Sequence, residues 1–185
     1  MIQTERLSIR RVAAGDWKAI QAIWADAAKS EYARYDRPND TGDEAVSRRI
    51  AKWASFAESE EHMFFAVCLG EAVIGYAALN QREYGYELGY CFHSAWHGKG
   101  YARESISAIL RVMKERGVRR IGAGTALNNR PSVRLLRALG FRQAGTERVS
   151  FYRDAEGNDV VFEGGVFELD LREAPEQGGG APHAV

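Results

Sequence analysis

The stretch Trp96-His-Gly-Lys-Gly-Tyr-Ala102 joins an apolar run to an amphipathic one and sets glycines at 98 and 100. Glycines let a backbone approach a ligand closely and present several N–H groups to it. The start of a helix adds partial positive charge at the same place. The chemistry these residues suit is anion binding, best matched to a phosphate or pyrophosphate. They suit equally a tight strand-to-helix turn that binds nothing. Two known phosphate loops are excluded. A Walker A loop needs Ser or Thr after its lysine, and Lys99 is followed by Gly100. A dinucleotide fingerprint needs a third small residue where Arg103 stands. Residues 97–142 carry eleven Lys and Arg against two Glu, a net +9, of which Arg103, Arg130 and Arg134 begin or flank helices. A solvated basic face would account for any one of these arginines outside the loop.

The elements that must position this stretch are legible from periodicity. Leu7–Val12 alternates as a strand. Asp16 caps a helix whose apolar face is Ile20, Ile23, Trp24 and Ala27. Thr41 and Glu44 form a capping box before a second helix with Val46, Ile50, Trp53 and Ala54 on one side. Residues 62–69 and 72–79 are apolar runs around Gly70-Glu71, a hairpin, and a third run covers 86–92. A helix then runs from Gly100 to before Gly117, a strand covers 119–125, and Asn129 and Pro131 open a further helix that Gly140 ends. Strands over 141–152 and 160–171 flank the turn 154–158. The order predicts an α/β, mixed α+β fold of three α-β-α layers. Its central sheet is mixed and mostly antiparallel, because the helix after Phe92 acts as a crossover.

A chain of 185 residues, 45% hydrophobic and 27% charged, fits one globular domain over 1–172 with a flexible tail over 173–185. Equal numbers of acidic and basic residues argue against a general nucleic-acid or membrane-surface binder. Cys68 and Cys91 lack metal-ligand spacing and read as buried thiols. No metal is expected. The start has no signal-peptide core and no apolar run is long enough to cross a bilayer, so the expected location is cytoplasmic.

The loop His97-Gly-Lys-Gly100-Tyr-Ala102 resembles the pyrophosphate loop of the GNAT acyl-CoA N-acyltransferases, Q/R-x-x-G-x-G/A, with His97 in place of Gln or Arg. Asn129-Arg-Pro-Ser132 followed by Leu139-Gly-Phe141 is similar to the acceptor-side helix of that family's RimJ/RimL branch, which acetylates ribosomal-protein N-termini. So are Thr4-Glu-Arg-Leu-Ser-Ile-Arg-Arg11 and Tyr86-Glu-Leu-Gly-Tyr90. The resemblance covers about residues 4–172. It implies the family's three-layer fold, acetyl-CoA as co-substrate, and direct attack of an amine on the thioester with no acetyl-enzyme.

Such an attack needs a proton acceptor for the amine, a donor for the oxyanion and a proton for the thiolate. The resemblance puts the oxyanion donor at the backbone N–H of Phe92. The cofactor contacts fall to Phe92, His97, Gly98, Lys99, Gly100, Tyr101, Ala102, Arg103, Asn129 and Ser132. Glu87, on the same strand as Phe92, is the first candidate base if burial raises its pKa. A structural carboxylate would suit that position as well. His93 is a second candidate, and deprotonation through water would make neither essential. Many family members carry a Tyr seven residues after the motif Asn. Here that position is Leu136, as in the RimJ/RimL branch, which leaves Ser132 as the hydroxyl near the sulfur. Ser132 also suits a plain first-turn residue.

The loop Tyr32-Ala-Arg-Tyr-Asp-Arg-Pro-Asn-Asp40 stands where the family shapes its acceptor pocket. Asp36 and Asp40 supply charge and Tyr32 and Tyr35 packing for a cationic amine. Glu83, Tyr84 and Tyr86 are expected on the same side. A protein N-terminus, a polyamine, an aminoglycoside or an amino-acid-like toxin satisfies this pattern. A non-catalytic acyl-CoA-binding module is the alternative function; a nucleic-acid binder using the +9 segment would need a stacking motif that is not found. The chain is expected to act as a monomer or homodimer.

Overall fold

The computed structural model describes residues 1–172; the tail expected over 173–185 lies outside the described residues. Eight strands form one sheet in the order β1-β2-β3-β4-β5-β6-β8-β7. They are β1 (Ile2–Gln3), β2 (Ser8–Arg11), β3 (His62–Leu69), β4 (Ala72–Arg82), β5 (Gly85–Phe92), β6 (Arg120–Ala126), β7 (Arg142–Arg153) and β8 (Asp159–Asp170). The helices are α1 (Trp17–Ala27), α2 (Asp43–Ser55), α3 (Tyr101–Glu115) and α4 (Arg130–Ala138). Every strand pair is antiparallel except β5 with β6, which the α3 crossover makes parallel. This is the expected mixed three-layer architecture. The short strand β1, paired with β2, was not foreseen; two residues carry no period to read.

Alternation along the strands explains the layers. On β3, Met63 and Val67 face one core and Ala66 and Cys68 the other. The first core is closed by Ile106, Ile109 and Met113 of α3 and Val133 and Leu136 of α4. The second is closed by Ile20 and Trp24 of α1 and Val46 and Ile50 of α2. On β5, Leu88 and Phe92 belong to the α3/α4 face, with Tyr86 and Tyr90 packed beside them. Glu87, Gly89 and Cys91 therefore face the α1/α2 side.

Two capping expectations are corrected. Asp16 does not cap α1; its carboxylate accepts from the Arg10 guanidinium at 2.7 and 2.8 Å and from the Ala13 amide at 2.8 Å. Thr41 does not cap α2, whose N-cap is Gly42. The Thr41 carbonyl accepts from the Gln21 side chain at 2.7 Å, which ties the loop to α1 instead. In each case a tertiary partner wins over the local cap. No helix among the described residues is long and apolar enough to cross a membrane.

Candidate active site

The sheet is closed at one end of the β5/β6 seam and open at the other. Gly85 packs so tightly on β6 that a Cβ there would lie 2.2 Å from the Arg120 carbonyl oxygen. Tyr86 pairs with Ile121 and Glu87 with Gly122, and there the ladder stops. Beyond it β5 stays paired to β4 and β6 to β8, so the two strands splay.

Phe92 ends β5 at the mouth of this opening. The amide of His93 donates to Ile74 O on β4 at 3.1 Å. Successive backbone groups along a strand point to opposite sides, so the amide and carbonyl of Phe92 point into the opening. The carbonyl is met by Nε2 of His97 at 2.8 Å. His97, the departure from the family's Gln or Arg, thus ties the loop to the end of β5. The Phe92 ring lies against Gly75, where a Cβ would come within 2.2 Å of it.

The loop itself turns through Ser94–Trp96, then Gly98 (φ +74°) and Gly100 (φ +81°), conformations a side chain disfavours. A Cβ at Gly98 would meet open space. No side chain caps α3, so the amides of Tyr101, Ala102 and Arg103 begin the helix without that partner. By contrast α4 is capped: Asn129 Oδ1 accepts from the Ser132 amide at 3.2 Å. An uncapped helix start preceded by two left-handed glycines fits a pyrophosphate. Lys99 turns away from it, its ammonium 3.0 Å from Ala95 O and over the Trp96 ring. Arg103 is exposed on the first turn of α3.

Across the opening, Ser132 Oγ and Tyr90 Oη are 2.8 Å apart. Burial raises the Tyr90 phenol above its ordinary pKa, with the Ser132 hydrogen bond opposing. Leu136 is fully buried and takes its place in the core. Tyr90 was not singled out in the sequence; its alternation with Phe92 on the same strand face is the signal that would have found it.

The remaining candidates divide between the faces. Glu87 is not buried: its side chain is 43% exposed and Oε2 accepts from Arg82 at 2.9 and 2.5 Å. The burial on which its choice as base rested is therefore absent. His93 caps the turn after β5, Nδ1 accepting from the Ala95 amide. Tyr86 lies on the face of β5 opposite Glu87; its hydroxyl donates to Glu60 O and its ring packs on the α3/α4 face. Tyr84 reaches the α1/α2 face, its ring lying over Gly122 of β6. Tyr35 packs on Phe162 at 5.3 Å, and Arg37 lies over Phe151. Tyr32 opens the same short turn, its carbonyl accepting from the Tyr35 amide at 3.0 Å, and lies within the field of Arg130 and Arg134 at the start of α4.

On the α1/α2 face of the opening, Gly89 and Gly124 leave open space above β5 and β6. Beside them burial pushes the Cys91 thiol up to about 12, with the charges of Asp36 and Asp26 adding. Burial works to raise the Asp26 carboxyl, but hydrogen bonds from the Ser94 amide and hydroxyl, at 2.6 and 2.8 Å, leave it below the usual range. Asp36 thus stands near the mouth end of β5. No group of His, Cys, Asp and Glu among the described residues could hold a metal ion.

A splayed parallel pair with a glycine loop leading into an uncapped helix is the architecture of an acetyl-transfer enzyme, and comparison with known proteins agrees. Residues 6–142 match the family model of the acetyltransferase (GNAT) domain. The uncharacterized N-acetyltransferase YnaD of Bacillus subtilis is 30% identical over 149 residues, 78% of this chain and 84% of the relative. The ribosomal-protein-S5-alanine acetyltransferase of Vibrio fischeri superposes with a TM-score of 0.78 at 19% identity, covering 93% of this chain and 97% of that one. The yncA acetyltransferase of Salmonella typhimurium, solved with its cofactor acetyl-CoA, gives 0.69 at 24% identity, covering 98% and 100%. The chain belongs to the GNAT family and is an N-acetyltransferase.

Proposed function

We propose that the protein moves the acetyl group of acetyl-CoA to a primary amine by direct attack within a ternary complex. The observation that carries this reading is the opening between β5 and β6, with the uncapped start of α3 at its mouth. The loop amides and Arg103 hold the pyrophosphate. The Phe92 amide, directed into the opening, donates to the thioester oxygen as negative charge develops there. Ser132, held by Asn129 and Tyr90, faces the departing sulfur. Glu87 lies on the acceptor face next to the open space at Gly89 and, half exposed, takes the amine proton through water.

The acceptor enters from the α1/α2 face. Asp36 attracts its positive charge, and Tyr35 with Phe162 gives it an aromatic wall. The RimJ/RimL-like phrases favour a protein N-terminal amine, and a small amine is the second reading that this wall supports. Both cysteines are free, in keeping with a cytoplasmic enzyme. The protein acts as one domain over 1–172, as a monomer or homodimer.

Thiol release from acetyl-CoA, followed with a panel of N-terminal peptides, polyamines and aminoglycosides, tests the reaction. Acetyl-CoA binding without turnover of any amine would leave a binding module instead. Absence of acetyl-CoA binding in calorimetry would remove both.

A further inference from the structure

The chain ahead of β2 folds onto the pyrophosphate loop although some ninety residues separate them. Residues 4–7 form a turn, closed by the Thr4 amide on Leu7 O at 2.9 Å and the Leu7 amide on Thr4 Oγ1 at 2.9 Å. Leu7 anchors this turn in the core. From it, Glu104 on the first turn of α3 receives four groups. Thr4 Oγ1 donates to Oε1 at 2.6 Å and the Arg6 amide to Oε1 at 3.1 Å. Arg6 Nε reaches Oε2 at 2.7 Å and Nη2 the same oxygen at 2.6 Å. The third guanidinium nitrogen, Nη1, donates to the Lys99 carbonyl at 3.0 Å, and the guanidinium lies 4.6 Å from the centre of the Tyr101 ring.

The Lys99 carbonyl belongs to the peptide between the two left-handed glycines. A trans peptide is planar, with its C=O and N–H pointing in opposite directions. Holding that carbonyl toward Arg6 therefore holds the Gly100 amide away from Arg6. Its neighbours across the helix start, the amides of residues 101–103, are the ones no side chain caps. A loop with glycines at 98 and 100 has many conformations to lose, and an anion that must order it binds more weakly. Arg6 joins the loop to the first turn of α3 by one planar group with donors in fixed directions.

We propose that Arg6 is a positioning residue for the co-substrate, a clasp that pre-forms the pyrophosphate cradle by tying the Lys99 carbonyl to Glu104. The proposal rests on acetyl-CoA being the co-substrate. It needs no contact between Arg6 and the ligand. Glu104, which burial would raise, stays below its usual range because Thr4 and Arg6 donate to it. The clasp is therefore closed at neutral pH.

The test measures binding of acetyl-CoA and of 3′-phospho-ADP, which keeps the pyrophosphate and lacks the pantetheine arm, by calorimetry. Kinetics with acetyl-CoA and the best amine follow. Arg6→Ala should weaken both ligands by a similar factor, about tenfold, and raise KM for acetyl-CoA likewise while kcat stays within twofold. Arg6→Lys keeps the charge but cannot span Glu104 and the Lys99 carbonyl, so it should weaken binding nearly as much. Glu104→Gln should fall between these and the wild type, and serves with Arg6→Lys if Arg6→Ala fails to fold. Wild-type affinity in Arg6→Ala would overturn the clasp. So would wild-type affinity in Arg6→Lys, since the charge alone would then suffice. A fall in kcat equal to the rise in KM would overturn it too, as damage to the whole site. A wild-type protein that binds neither ligand would overturn the acetyl-CoA reading along with it.

Discussion

The hydroxyls of Tyr90 and Ser132 lie 2.8 Å apart and join the mouth end of β5 to the first turn of α4. Tyr90 is desolvated and stays protonated through the neutral range, so it can always donate toward Ser132. Either hydroxyl can donate in this pair, and with Tyr90 as donor the Ser132 hydrogen is free for the departing sulfur. Ser132→Ala should lower kcat about 10-fold or more with little change in KM for acetyl-CoA, since one proton transfer is worth roughly 10²-fold or above. Tyr90→Phe, which keeps the ring, should show the same pattern more weakly. Steady-state kinetics decides. Equal loss in KM would make the pair a binding feature.

The proposed role of Glu87, taking the amine proton through water, predicts that Glu87→Gln lowers kcat by about 100-fold. Binding of acetyl-CoA should be unaffected, because Glu87 pairs with Arg82 at the closed end of the seam. A pH–rate profile whose acid limb survives the substitution would assign the proton to another group.

Gly75 makes room for the Phe92 ring. A methyl group there would lie 2.2 Å from the ring, and overpacking of a core costs about 1–3 kcal/mol. Gly75→Ala should lower the unfolding free energy by that amount, read as a lower denaturation midpoint, and, by moving Phe92, lower kcat. Gly89 differs, because a Cβ there meets open space. Gly89→Leu should keep stability and acetyl-CoA affinity but raise KM for the amine. Unchanged amine kinetics would show that the acceptor enters elsewhere.

Asp16 is buried against Arg10 and the Ala13 amide, and these bonds outweigh burial and hold its carboxyl below the usual range. A depressed folded-state pKa adds stability above the unfolded pKa, and that stability is lost as pH falls through the folded one. Asp16→Asn should therefore cost about 2 kcal/mol near pH 7. The difference from wild type should close in acid, as urea titrations at pH 7 and pH 3 would record.

The Cys91 thiol is held at about 12 and Cys68 is also raised by burial. Thiolate is the reactive form. The native protein should resist iodoacetamide at pH 8, and both thiols should react once unfolded, as intact mass would show.

The strands were legible because 62–69, 72–79 and 86–92 are short apolar runs, the first two bounded by the Gly70-Glu71 turn, and each boundary moved by at most a few residues. The loop at 97–102 was legible because two glycines two apart have few structural uses. What stayed hidden depends on the register of distant segments. Arg82 reaches Glu87 only because the hairpin sets Asn80 opposite Glu87, which leaves Arg82 as its diagonal neighbour on the same face. Arg6 meets Glu104 through the fold, and a charged pair so far apart in sequence leaves no local trace. Alternation also separates Tyr86 from Glu87, which lie on opposite faces of β5 although the sequence reading used both around one site.

The two helices that frame the opening begin differently, α4 closed by Asn129 and α3 left open. A missing cap costs a helix about 1 kcal/mol. The ligand-free enzyme accordingly sits below the stability its own fold could reach, and the shortfall is confined to the spot where an anion docks. Any species that supplies the absent acceptor, inorganic pyrophosphate included, should raise the melting temperature. Selection for a sturdier free protein and selection for affinity would thus pull on Tyr101, Ala102 and Arg103 in opposite directions.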